Sequence, residues 1–293
     1  MRFAINGNRH QEGHIAEINR LVTHIMREGH DIVMAEPFLN YLAGNLGDRF
    51  ATGINYLPLT RRPDADLAIS IGGDGAFLKT ARWIGADQTP IAGINTGHLG
   101  YLSAFTFEQA DEIYSHLLAG DFRIESRSVL SATIVKEGTP LPHPLTALNE
   151  LAITRGDNAS MLRVAARIDH RSSLNYMGDG LIISTPTGST AYNLSVGGPV
   201  LDPELAGWVL SPIAAHSLSM RPLVVKDSST IEISVETRAD SFRVSADGKP
   251  VSLNVSDRLI ISKAPYTVKL IQQTQHAFAD TLREKLGMGT TLV

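Results

Sequence analysis

Apolar positions along this chain keep two different rhythms, and the change from one to the other falls near residue 122. In the first part, short apolar runs alternate with stretches of helical period. Residues 3–5, 31–35, 67–71 and 90–95 read as strands. The third is apolar except for Ser70, as a strand buried on both faces of a parallel sheet is. Ile15, Ile18, Leu21, Val22, Ile25 and Met26 recur every three or four positions, which predicts a helix that Gly29 stops. Residues 76–83 predict another helix. Thr106-Phe107-Glu108-Gln109 matches a capping box, opening an amphipathic helix through Ile113, Leu117 and Leu118 that ends at Gly120. Strands separated by helices imply a Rossmann-like, doubly wound parallel sheet, with ligand at the carboxyl ends of its strands.

Beyond residue 122 the rhythm shortens. Residues 129–136, 148–155, 162–169, 181–184, 230–236, 242–246, 258–262 and 267–272 are rich in Val, Ile, Ser and Thr, and several alternate apolar with polar. That pattern predicts strands. Helices are expected only at 190–195, around 205–218 and at 277–286. The expected architecture is therefore an α/β domain over residues 1–122, with the tail 274–293 packing back on it, and a mainly-β, sandwich-like domain over 123–273. No fixed-period repeat interrupts this plan.

Composition narrows the chemistry. The 293 residues suffice for one large or two ordinary domains. A formal charge of −4 without any basic stripe argues against nucleic-acid binding. No cysteine is present, which excludes disulfides, thiolate metal sites and a cysteine nucleophile. The N-terminal residues lack the apolar core of a secretory signal and no apolar run approaches 18 residues, so a cytoplasmic location without membrane attachment is expected.

The strongest candidate chemistry follows the strand at 67–71. Gly72-Gly73-Asp74-Gly75 lets the backbone turn sharply against a ligand, and the helix after it presents N–H groups and a positive dipole end to phosphate. A carboxylate, Asp74, stands in the middle of that anion-friendly loop. An acid there is electrostatically costly unless it handles a proton or a metal ion, which suggests phosphoryl transfer. Two further Asp-Gly pairs occur. Asp247-Gly248, between strand-like runs, has the form of a hairpin turn, while Gly178-Asp179-Gly180 fits a turn or a ligand loop equally.

The stretch from Pro186 through Thr187, Gly188, Ser189, Thr190, Ala191, Tyr192 and Asn193 to Ser195 offers hydroxyl donors at a helix start. Ser189 or Thr190 can equally be a plain N-cap, and Tyr192 either stacks on a purine or packs half-buried. Asn149-Glu150 sets an amide beside a carboxylate at the start of an apolar strand. Adjacent strand residues face opposite ways, so one of the two faces inward, where ribose hydroxyls would satisfy it, unless the pair lies at a sheet edge in water. Walker A, Gly-x-Gly-x-x-Gly, His-Glu-x-x-His and Gly-x-Ser-x-Gly patterns are all missing. The ten histidines show no metal-ligand spacing; His98, in a glycine-rich loop, and His216 read as structural.

Together, residues 72–75, the run Gly93 to Leu102, Asn149-Glu150 and the run from Gly178 to Pro199 resemble the bacterial ATP-dependent NAD kinases. The resemblance implies phosphorylation of the adenosine 2′-hydroxyl of NAD, with ATP as donor and a divalent cation, Mg²⁺ delivered with the nucleotide, and no metal cage in the protein. It implies Asp74 as general base or ligand of the cation, with Gly73 and Gly75 offering amides to phosphate. Asn149 and Glu150 would hold ribose and base, and Asp179 the nicotinamide side. Thr187, Thr190, Ala191, Tyr192, Asn193 and Ser195 would line the adenine and phosphate pocket, with Lys79, Ala214 and Asp247 as further nucleotide contacts. A homodimer or homotetramer is implied, because subunits of this family share nicotinamide-side contacts. A kinase acting on a lipid or sugar-phosphate acceptor, or a dinucleotide-binding regulator without turnover, are the competing readings.

Overall fold

The computed structural model describes residues 1–97, 100–103, 105–107, 110–156, 161–171, 173–274 and 277–289. The chain divides into two compact units, Met1–Ser126 with Val268–Val293, and Arg127–Thr267. It passes from one to the other within two long strands.

The first unit holds five parallel strands, β1 (Arg2–Gly7), β2 (Asp31–Ala35), β3 (Asn55–Leu57), β4 (Leu67–Ile71) and β5 (Ile91–Asn95), in the order β3-β2-β1-β4-β5. A two-residue strand, β6 (Phe105–Thr106), lies beside β5. Thr106 thus pairs with Asn95 instead of capping a helix, and Glu108 and Gln109 of the expected capping box lie outside the described residues, as does His98. Four helices connect or flank the strands: α1 (Ile15–Arg27), α2 (Glu36–Leu46), α3 (Asp74–Ile84) and α4 (Ala110–Ala119). The helical spacing of Ile18, Leu21, Val22 and Ile25 is the buried face of α1. Helix α2 was not expected; it starts with Pro37 in its first turn and buries Phe38, Leu39 and Leu42.

The anomalous Ser70 of β4 has its explanation in a buried cluster. Asn6 Nδ2 donates to Thr80 Oγ1 (3.1 Å), and the Thr80 hydroxyl lies 3.0 Å from Ser70 Oγ. These three polar groups satisfy one another and fix the rotation of α3 on β1 and β4. Strand order reverses between β1 and β4, so their carboxyl ends form the crevice where doubly wound folds bind ligand. Asn8 N–H donates to Ile71 O (3.1 Å) there. Gly72 adopts φ +132° against Asn8 and Ala76, a backbone only glycine takes easily.

The second unit begins within β7 (Arg123–Lys136), which pairs with β8 (Thr139–Pro140) and β9 (Leu145–Ala147). Ten more strands follow: β10 (Glu150–Arg155), β11 (Leu162–Ile168), β12 (Ser173–Gly178), β13 (Gly180–Ser184), β14 (Gly207–Ile213), β15 (Leu223–Lys226), β16 (Ile231–Glu236), β17 (Ser241–Ala246), β18 (Lys249–Asn254) and β19 (Arg258–Gln272). One antiparallel sheet runs β15-β14-β13-β10-β17-β18. Strands β12, β11, β16 and the first half of β19 form another. Alternate residues meet in one core, with Leu151, Ile153, Leu181, Ile183, Trp208, Leu210, Phe242 and Val244 from the first sheet and Val164, Ile231, Ile233, Val235, Leu259 and Ile261 from the second. This is the sandwich that the alternation predicts.

Three expectations need correction. Residues 205–218 hold strand β14, not a helix. Its first five residues are all buried, so neither face is polar and no period separates strand from helix. The expected helix at 190–195 is a 3₁₀ turn, Thr187–Thr190, and a separate single turn, α5 (Tyr192–Ser195), broken at Ala191 (φ −98°, ψ −128°). The two strands expected at 258–262 and 267–272 are one, β19, of 15 residues. A last helix, α6 (Phe278–Leu286), follows it in the first unit.

Candidate active site

In the first unit the chemistry gathers at the start of α3. Asp74 is the first residue of that helix, behind Gly73, so its charge lies at the positive end of the helix dipole. Tyr101 N–H donates to Asp74 Oδ2 (2.9 Å) and Leu102 N–H donates to Oδ1 (3.0 Å). The cost assigned to an acid in this loop is therefore relieved inside the protein, by a dipole and two amides, before any ligand arrives. Gly100 has no freedom to be another residue: a Cβ there would overlap the Asp74 carboxylate. Gly73 and Gly75 instead face open space, leaving room beside the helix start. Lys79 is exposed farther along α3, and no hydrogen bond or ion pair holds it among the described residues.

One group no motif announced joins them. Lys285 of α6 places its ammonium 4.2 Å from the centre of the Tyr101 ring. Burial, helped by the charge of Asp74, pushes the Tyr101 phenol up.

In the second unit Asp247 organises the strand start. Asp247 (φ +46°) and Gly248 (φ +76°) form the turn between β17 and β18, a type I′ geometry, so the hairpin reading holds. The Asp247 carboxylate also accepts from three successive amides, those of Leu148 (2.9 Å), Asn149 (2.8 Å) and Glu150 (3.3 Å). That grip leaves the side chains of Asn149 and Glu150 nearly buried, at 9% and 8% exposure. Asn149 Oδ1 and Glu150 Oε2 are buried acceptors without a hydrogen-bond partner among the described residues. Such orphans are rare in folded proteins and mark a place where a donor is expected.

Burial first, then the charge of Asp247, push the Glu150 carboxyl up to about 7, against a donated N–H from Tyr192 that favours the ion. A carboxyl raised from 4.5 ionises in the unfolded chain before it does in the folded one, so stability falls as pH rises from about 4.5 to about 7. The total loss is on the order of 3 kcal/mol. Glu150→Gln is therefore expected to raise the melting temperature clearly at pH 8 and little at pH 5. A gain of equal size at both pH values would remove ionisation as its source.

The loop after β13 stands beside this pair. Thr187 accepts from Arg127 Nη1 (3.4 Å), and Thr190 Oγ1 bonds Thr187 O (3.4 Å). Tyr192 is 41% exposed, open to a stacking partner, and Ser195 is exposed. Asn193 is wholly buried, and its amide is satisfied internally: Nδ2 donates to Ser189 O and Pro199 O (3.0 Å each) and Oδ1 accepts from Ser211 (2.6 Å). Asp179, between β12 and β13, pairs with Arg155 (3.5 Å), and Ala214 at the end of β14 is exposed with φ +45°. Arg127, buried at 5% exposure, and Lys285 are the side chains that sequence reasoning missed. Arg127 lies in a strand pattern and Lys285 in an ordinary amphipathic helix, and neither position carries a signal.

The ATP-NAD kinase N-terminal domain family matches residues 4–122, and the ATP-NAD kinase C-terminal domain family matches residues 148–273. An NAD kinase of Porphyromonas gingivalis is 38% identical over 291 residues, 99% of each chain. One of Bacteroides fragilis is 38% identical over 289 residues, 99% of this chain and 98% of its own. Among solved structures, an NAD kinase from Archaeoglobus fulgidus in complex with ATP superposes with a TM-score of 0.73 at 25% identity, covering 99% of this chain and 100% of that one. Yeast NADH kinase complexed with NADH shares the fold, with a TM-score of 0.89 at 22% identity over 100% of this chain and 89% of that one.

Proposed function

This chain belongs to the ATP-NAD kinase family, and we propose a role for each of its candidate residues in the phosphorylation of NAD. The enzyme is a phosphotransferase that moves the γ-phosphoryl group of ATP to the 2′-hydroxyl of the adenosine ribose, giving NADP and ADP. Asp74 accepts the hydroxyl proton during attack, because a ribose hydroxyl is a poor nucleophile while protonated. Gly73 and Gly75 leave the amides at the start of α3 open to phosphate.

The observation that carries the dinucleotide reading is the pair of orphaned acceptors, Asn149 Oδ1 and Glu150 Oε2. Ribose hydroxyls and an exocyclic amine are donors that complete them. Near neutral pH Glu150 is partly protonated and can donate as well as accept. Tyr192 offers its exposed ring to a base, with Thr187, Thr190, Ala191 and Ser195 around it. Asn193 and Asp247 act from inside, holding the backbone that carries those contacts. Asp179 and Ala214 serve the nicotinamide side, and Lys79 offers a further cation for nucleotide.

Among the described residues no group of three or more His, Asp or Glu side chains is arranged to hold a metal ion; in our reading the divalent cation arrives with the nucleotide's phosphates. When bound, Mg²⁺ supplies charge neutralisation for the transfer. No helix among the described residues is long and apolar enough to cross a membrane. A cytoplasmic homodimer or homotetramer is our reading, supported by apolar side chains in water on the second unit, Leu174, Met177 and Leu218. A purely monomeric mass in light scattering would overturn it. Purified protein given NAD, ATP and Mg²⁺ is expected to form NADP, detected with an NADP-specific dehydrogenase. Absence of NADP with an intact, NAD-stabilised protein would leave only a binding role.

A further inference from the structure

We propose that Lys285 is a catalytic residue of this phosphoryl transfer, the cation that takes a non-bridging oxygen of the migrating group beside Asp74. The inference rests on the NAD kinase reading and adds a residue to it. Its first support is placement. The Lys285 ammonium lies on the Tyr101 ring, and the amide of that same tyrosine donates to the Asp74 carboxylate.

The second support is an unmet charge. No carboxylate stands within ion-pair distance of Lys285 among the described residues; Asp74 of α3 and Glu284 of its own helix act on it only from farther away. Burial outweighs both and draws the ammonium down to about 8. A half-buried cation without an anion in contact gains when a phosphate oxygen arrives.

The third support is that packing does not explain the position. None of the nine residues of α6 is buried, and the neighbouring cation, Arg283, is already paired with Asp280. Lys285 is instead set where charge is needed, since the transferring phosphoryl group meets the negative Asp74 and ATP brings further negative charge.

In the step itself the ribose 2′-oxygen forms a bond to the γ-phosphorus as the bond from that phosphorus to the β-phosphate oxygen breaks. The electron pair leaves with ADP and the hydroxyl proton passes to Asp74. Lys285 keeps its proton throughout and offsets charge on the phosphoryl oxygens.

The test is steady-state NADP formation by the full chain, varying ATP and NAD separately, for K285M, K285R and R283A. K285M keeps the apolar stem and loses the charge. It is expected to lose about 10- to 100-fold in kcat/KM for ATP while the KM for NAD moves less than about two-fold. K285R is expected to recover most of the loss, and R283A to match wild type. K285M with wild-type ATP kinetics, or K285R as impaired as K285M, would assign Lys285 a packing role on Tyr101 and overturn the proposal. A wild-type chain that forms no NADP would overturn the kinase reading as well, so the two failures are distinct.

Discussion

Asp74→Asn is expected to lower kcat by about 10²-fold or more while KM for NAD and ATP changes only a few-fold. Asparagine keeps the shape and removes the basic oxygen, so the 2′-hydroxyl must attack with its proton still on. The structure adds a second reason for the loss. One carboxylate accepts from both Tyr101 and Leu102 amides, and an asparagine can accept only one of them well, because its NH₂ would face the other N–H. The loop from Gly100 to Leu102 should therefore loosen together with the loss of the base. Hydrogen exchange at the Tyr101 and Leu102 amides reads the loosening, and the NADP assay reads turnover. Turnover near the wild-type rate would remove Asp74 as the proton acceptor, whatever happens to the loop.

The largest effect on stability is expected at Asn193. Replacing it with Ala leaves the Ser189 carbonyl and the Ser211 hydroxyl without their partner in a fully buried place, while the carbonyl of the exposed Pro199 can turn to water. At about 1–3 kcal/mol for each of the two buried groups left unpaired, partly relieved by relaxation, the loss should be roughly 2–5 kcal/mol. For a unit of this size that corresponds to a fall of about 10 °C in melting temperature. Asn193→Asp separates hydrogen bonding from volume, since it fills the same space yet cannot donate to either carbonyl. Both variants should be strongly destabilised; an Asp variant as stable as wild type would show that the donated bonds matter little.

Much of the first unit was legible because its signals are local. A fully buried β4, two glycines and then a helix can be read from adjacent residues, and Asp74 was visible there as a charge out of place. What the charge touches was not visible. The amides of Tyr101 and Leu102 come from a loop after another strand, and no pattern in residues 100–102 announces a carboxylate partner. Helix α2 was hidden behind a short apolar face, although Glu36-Pro37 is a helix-start signal that a closer reading would have used. Strand β14 was lost for a physical reason: buried on both faces, it carries no alternation. The two ranges 258–262 and 267–272 belong to one strand, β19, which runs on through Pro265, a residue type that interior strands rarely hold. Asp247 read correctly as a hairpin residue, but its grip on three amides nearly a hundred positions away depends on tertiary pairing alone.

The first unit is built from two segments far apart in sequence, Met1–Ser126 and Val268–Val293, with Leu270 hydrogen-bonded beside Ile91 and α6 carrying Lys285. On the ribosome, residues 1–126 leave the exit tunnel long before the segment that completes them exists. The nascent Rossmann half must wait with the Ile91 end of β5 short of its β19 neighbour while the β-rich half is synthesised and folds. Translation that stops early would thus release a chain with Asp74 in place and without the Lys285 helix, its unpaired strand edge open to pairing with another chain.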